Sequence, residues 1–101
     1  MKVLFVCNQN KNRSKTAEAL FKDSFTTKSA GLFDQKPVTE KQLAWADVVV
    51  VMEDFQLSEI ADRFPKQYLQ KRLVSLGIPD AYSFNQPELI SVLKSRINEL
   101  F

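Results

Sequence analysis

A chain of 101 residues with 45% hydrophobic content is long enough to bury one core, and residues 1–101 read as a single domain. The charges nearly cancel, 14 Lys and Arg against 12 Asp and Glu, and they are spread along the chain, so no basic face calls for nucleic acid or a membrane surface. One cysteine and no histidine exclude an internal disulfide, a two-thiol relay, a Cys-His dyad, a Ser-His-Asp triad and a thiolate-imidazole zinc site.

The first element is residues 2–6, KVLFV, a short apolar run of β-formers. With one Lys at its start and polar sequence after it, this run is too short for a signal peptide or a membrane span, so a soluble, cytoplasmic protein is expected. After Ser14, residues Ala17, Leu20, Phe21 and Ser24 recur at helical spacing and predict a helix that covers a sheet. FTTKSA at 25–30 is a weaker strand candidate that ends at a glycine. Thr39 with Gln42 makes a capping box, and Val38 with Leu43 a hydrophobic staple, so a helix is predicted from Thr39 to about Trp45.

DVVVVM at 47–52 is the near-continuous apolar run of a strand buried on both faces. Leu57, Ile60, Ala61 and Phe64 then mark a helix that stops before Pro65, and RLVSLG at 72–77 is a fourth strand candidate. The last helix runs from about Pro87, with Asn85 as a possible cap and Leu89, Leu93, Ile97 and Leu100 facing inward. This alternation predicts an α/β three-layer sandwich: a four-stranded parallel sheet with helices on both faces. In such sheets ligands bind beyond the carboxyl ends of the strands, where a loop enters a helix.

The stretch CNQNKNRS, residues 7–14, lies at that place. Cys7 ends the first strand and Ser14 begins the first helix, so the loop can turn its N–H groups inward while the helix adds its positive end. Arg13 offers a rigid fork that takes two phosphate oxygens at once. Dipoles, helix end and guanidinium together stabilise a Cys7 thiolate, the form that acts as a nucleophile. Alone, a cysteine after a buried strand reads as an inert core thiol; Arg13-Ser14 at this spacing turns the reading to a phosphate loop.

A cysteine, five residues and then Arg-Ser at a strand-to-helix junction is the signature of cysteine-dependent phosphatases. With the continuation RSKTAEALF, SAG at 29–31, VVVVME before the third helix and IPDAYSFNQPEL, the chain resembles the low molecular weight protein tyrosine phosphatase family, and a short bacterial branch of it, over nearly its whole length. The resemblance implies a nucleophile at Cys7, a phosphoryl clamp at Arg13, and amide donors from Asn8, Gln9, Asn10, Lys11 and Asn12. It implies a shaping side chain at Asn10, supporting hydroxyls at Ser14 and Ser29, a general acid at Asp80 and an aromatic pocket wall at Tyr82. No metal or other cofactor is implied. Its expected partners are a phosphotyrosine protein or a small aryl phosphate, with phosphate and other oxyanions as ligands.

Asp80 also follows from its place just past the fourth predicted strand, although a residue after Pro79 can equally serve a turn. Glu53 and Asp54, at the end of the third strand, are the second choice for the acid or simply favour a helix start. Trp45 reads as core; Phe33, in the polar loop LFDQKP, is a candidate to flank an aromatic substrate. The chain departs from the family where it has Gln9 for glycine, Asn12 for a second cysteine, Lys15 for proline and Ala81 for proline. Gln9 is expected to demand a different loop backbone if φ there is positive. Rival readings are a non-catalytic phosphate or phosphoprotein-binding module, an arsenate reductase completed by an external thiol, and a purely structural domain.

Overall fold

The chain is described over residues 1–101 by a computed structural model. Its elements are β1 (Lys2–Cys7), α1 (Arg13–Phe21), β2 (Thr26–Gly31), α2 (Glu40–Trp45), β3 (Val48–Val51), α3 (Asp54–Arg63), α4 (Pro65–Gln70), β4 (Arg72–Ser75) and α5 (Pro87–Leu100). The four strands are parallel in the order β2-β1-β3-β4. Because β2 lies on one side of β1 and β3 on the other, the crossovers leaving β1 and β3 diverge, and a crevice opens at the carboxyl end of β1.

Alternation along the central strands divides the core in two. Val3, Phe5 and Cys7 of β1, with Val48 and Val50 of β3, pack with Ala17 and Phe21 of α1 and Leu89, Leu93 and Ile97 of α5. Leu4 and Val6, with Val49 and Val51, face the other way onto Leu43 of α2 and Ile60 of α3. Helices therefore cover both faces, as the alternating pattern required. No helix is long and apolar enough to cross a membrane.

The predicted capping box at Thr39 is present: Thr39 Oγ1 accepts from the Gln42 N–H at 3.2 Å, and Gln42 Oε1 accepts from the Thr39 N–H at 2.9 Å. Val38 and Leu43 are buried in the same core, as the staple required. Pro65 ends one helix and begins another. Phe64 closes α3 with an N–H to Ile60 O and at the same time precedes α4, where proline at the first position loses no needed N–H. Only the first role of Pro65 is legible in the sequence, because the six residues of α4 carry no apolar stripe long enough to register.

Two further expectations change. Ser24 lies beyond the end of α1 and is exposed. Asn85 is not the cap of α5: Gln86 holds that place, while Asn85 has φ 61° and gives its N–H to Thr16 Oγ1 at 2.9 Å. Thr16 is fully buried on α1, so this bond ties the long segment before α5 to the helix that follows Cys7. In the first turn of α5, backbone N–H and Gln86 hydrogen bonds hold the Glu88 carboxyl below the ordinary carboxylate value.

Candidate active site

β1 carries its last residue to the floor of the crevice. Cys7 pairs in register with Gly31, and the chain beyond each strand stays tied: Leu32 N–H donates to Cys7 O at 2.9 Å and Phe33 N–H to Asn8 O at 2.7 Å. The loop thus wraps closely over Gly31. A Cβ there would lie 2.9 Å from Gln9 C and 3.0 Å from both Asn10 N and Asn8 O, all backbone atoms. The glycine of SAG is required by this close approach.

Around the thiol, Asn10 N–H points at Cys7 Sγ at 3.2 Å and Ser14 Oγ lies 2.9 Å from it. Asn10 makes this possible by adopting φ 54°, a region asparagine tolerates, and its Oδ1 accepts from Ser14 Oγ at 2.7 Å. The single Ser14 hydroxyl hydrogen cannot serve Asn10 and sulfur together. With a neutral thiol, S–H donates to Ser14 and Ser14 to Asn10; with a thiolate, the Ser14 hydrogen turns to sulfur and joins the Asn10 N–H there.

Arg13, the first residue of α1, is only 2% exposed. Its Nη1 donates to Glu53 Oε1 and to Ile78 O, both at 2.8 Å. These bonds use both Nη1 hydrogens and leave the Nε–H and Nη2 edge of the fork for a ligand. Glu53, read from the sequence as a second-choice acid or a helix-start residue, is the anchor of this arginine. Asp54 stands in the first turn of α3 and is exposed.

Glu53 is itself held. Gln56, fully buried, accepts with Oε1 from Met52 N–H at 2.8 Å and Glu53 N–H at 2.9 Å, and donates with Nε2 to Asn8 Oδ1 at 2.9 Å. Gln56 was not singled out from the sequence. Its one legible signal is the spacing Glu53-x-x-Gln56, a capping box with glutamate as the cap.

Asp80 comes to the same place from the segment after β4. Gly77, with φ 65°, turns the chain, and Ile78 N–H donates to Met52 O at 2.7 Å while its carbonyl accepts from Arg13. Two residues on, Asp80 Oδ1 stands 3.9 Å from Arg13 Nε with its side chain 62% exposed. Cys7, Asn8, Gln9, Lys11, Asn12, Arg13 and Asp80 together line a cavity of about 50 Å³. A cavity needs roughly 10–15 Å³ of such volume to hold one water, so this one has room for a small polyatomic anion.

No protein-family model matches the chain, and no curated protein matches it in sequence. Solved structures do. A low molecular weight phosphotyrosine phosphatase from Vibrio cholerae O395 superposes with a TM-score of 0.82 at 19% identity, over 99% of this chain and 94% of that one. A low molecular weight protein tyrosine phosphatase from Bacillus subtilis gives 0.76 at 24% identity, over 99% and 97%. The chain has the low molecular weight protein tyrosine phosphatase fold. The YwlE arginine phosphatase from Geobacillus stearothermophilus shares it, with a TM-score of 0.68 and 23% identity over 98% of this chain and 84% of that one.

Within this phosphatase fold, several sequence expectations need correction. Gln9 is not among the residues with positive φ, so the anticipated backbone cost of a side chain there is not incurred. Ser29 does not hydrogen-bond the loop; its Oγ donates to Glu18 Oε1 at 2.7 Å and ties β2 to α1. Tyr82 packs against the core shared by α1 and α5 and does not line the cavity. Phe33 stands beside the cavity, in an adjoining groove with Asp34, Gln35 and the Gln9 and Lys11 that both share, which leaves its candidacy as a flanking residue unchanged. The Arg63 guanidinium lies 4.9 Å from the Phe33 ring centroid, and Arg63 Nη1 donates to Leu32 O, so the ring is held from one side and 52% exposed. Trp45 is half-buried, packed against the core on the α2 side, with Lys28 Nζ over its ring at 4.5 Å.

Proposed function

We infer that this chain is a cysteine-dependent phosphomonoester hydrolase of the protein tyrosine phosphatase type. The observation that carries the reading is the convergence on one small cavity of Cys7, whose Sγ receives the Asn10 N–H, with the free edge of the Arg13 fork and Asp80. The Cys7 thiolate attacks phosphorus in line with the leaving oxygen; the P–S bond forms as the P–O bond breaks, and Asp80 gives its proton to the departing oxygen. Water then attacks the phosphocysteine, passing a proton to the Asp80 carboxylate, and the P–S bond breaks to release phosphate and thiolate. Arg13 and the loop amides bind the equatorial oxygens through both steps. Asn12 contributes its place in the loop, and Ser14 stabilises sulfur each time it leaves phosphorus.

Release of chromophore from an aryl phosphate is the test. Wild type should turn over and, quenched in acid, carry phosphate on Cys7; Cys7→Ser should lose turnover yet keep oxyanion binding. Oxyanion binding by a wild type that shows no turnover supports the non-catalytic binding module instead. Asp80→Asn should slow hydrolysis by about 10²–10⁴-fold for poor leaving groups and much less for good ones, because general-acid help matters in proportion to leaving-group basicity. Equal slowing across a leaving-group series would remove Asp80 from this role.

An aryl ester fits the rim better than a phosphoarginine. Lys11 lines both the cavity and the groove beside it, pairs with no carboxylate, and would face a guanidinium leaving group with like charge. A single cysteine gives no internal thiol to finish an arsenate reduction.

A further inference from the structure

We propose that Asn8 gives its side-chain NH₂ to the bound phosphoryl group, and that buried Gln56 acts as the positioning residue that fixes which way round the Asn8 amide stands. The proposal rests on the reading of the cavity as a phosphoryl site and adds to it a donor other than a loop amide.

The orientation is set by a relay that starts at the backbone. Met52 N–H and Glu53 N–H both point at one end of the Gln56 amide, at 2.8 and 2.9 Å. Only oxygen can accept two N–H groups; turning the amide round would set its NH₂ against both. The Gln56 NH₂ must therefore be the other end, and it meets Asn8 at 2.9 Å. By the same rule the Asn8 atom facing it must be Oδ1. Asn8 is then left with Nδ2 as its outward group, and no protein atom accepts from it.

Two observations direct that free donor to the ligand. Asn8 lines the cavity between Cys7 and Gln9, and its nitrogen is not among the buried unpartnered atoms, so it reaches solvent. Its backbone is also fixed, by the Phe33 N–H to Asn8 O bond at 2.7 Å, which limits the side chain to a short arc over the site. The turn that presents Glu53 to Arg13 thus also selects the polarity of the residue next to the nucleophile. A donor beside a dianionic ligand strengthens binding; the reversed amide would set an oxygen against it.

The test is inorganic phosphate affinity by calorimetry on four proteins: wild type, Asn8→Ala, Gln56→Glu and the double variant, with thermal unfolding confirming that each is folded. Gln56→Glu keeps oxygens for the two backbone donors but replaces the NH₂ by an acceptor, so Asn8 turns round. Asn8→Ala should weaken phosphate binding by roughly ten-fold, and Gln56→Glu by at least as much. In the Asn8→Ala background, Gln56→Glu should change affinity by less than about two-fold, because the amide it acts through is gone. An equal effect of Gln56→Glu in both backgrounds would mean that it acts through charge or Glu53 and would overturn the relay. Wild-type affinity in Asn8→Ala overturns the donor while leaving the active-site reading intact, whereas failure of wild type to bind phosphate removes both. If Gln56→Glu unfolds, Asn8→Asp supplies the reversed polarity directly and should weaken binding beyond Asn8→Ala; affinity equal to or tighter than that of Asn8→Ala overturns the proposal.

Discussion

Arg13→Ala is expected to lower kcat/KM on an aryl phosphate by about a thousand-fold or more and to abolish measurable phosphate binding. Removing a single oxyanion donor from a preorganised site already costs about 10²–10³ in rate, and Arg13 brings two donors and a full charge. The residue is 2% exposed and pinned by Glu53 and Ile78 O, so its free edge needs no reorganisation when the ligand arrives. Truncation also strands a half-buried Glu53 carboxylate, and breaking such a pair costs about 3–5 kcal/mol. Arg13→Lys separates the two effects. It keeps a cation for Glu53 and hence most of the stability, but a lysine has no fork, so rate and affinity should stay near those of the alanine variant. Rates within ten-fold of wild type in a folded Arg13→Lys protein would contradict a bidentate clamp.

Gly31→Ala should damage the site from behind. The new methyl meets three backbone atoms of the loop after Cys7 at 2.9–3.0 Å, and backbone cannot rotate away as a side chain end can. The loop must lift from β2, which loosens the Phe33-to-Asn8 and Leu32-to-Cys7 hydrogen bonds and displaces the Asn10 N–H from sulfur. Overpacking of this kind costs about 1–3 kcal/mol, and phosphate affinity should fall at least ten-fold. Gly77→Ala is the control. Its φ of 65° makes a methyl unfavourable by about 1 kcal/mol, but nothing lies within 4 Å of it, so stability should fall while affinity is retained. Thermal unfolding and phosphate calorimetry on both variants read the difference; if both lost stability and affinity in the same proportion, close approach at Gly31 would not be the cause.

What the sequence made legible was local in origin. The strand at Val48–Val51 announced itself by four consecutive valines, the helix from Glu40 by a capping box, and the loop after Cys7 by the spacing of Cys7 and Arg13 at a strand-to-helix junction. What it hid was long-range. Glu53 lies forty residues from the arginine it anchors, Gln56 forty-eight from Asn8, and Thr16 sixty-nine from Asn85. No periodicity records such pairs, and each partner has a plausible local role that satisfies a reader of the sequence. Tyr82 shows the converse: an aromatic expected at the ligand is half-buried against the core.

The core that supports Cys7 has a consequence for synthesis. Of the nine elements β1 is made first and α5 last, yet Val3, Phe5 and Cys7 share their core with Leu89, Leu93 and Ile97. A growing chain therefore holds β1 long before the helix that seals it has been translated, and that strand cannot settle early into its final surroundings. The surroundings of Cys7 should therefore be completed in one late cooperative step, once α5 is available to pack. Activity would then report completion of the whole fold.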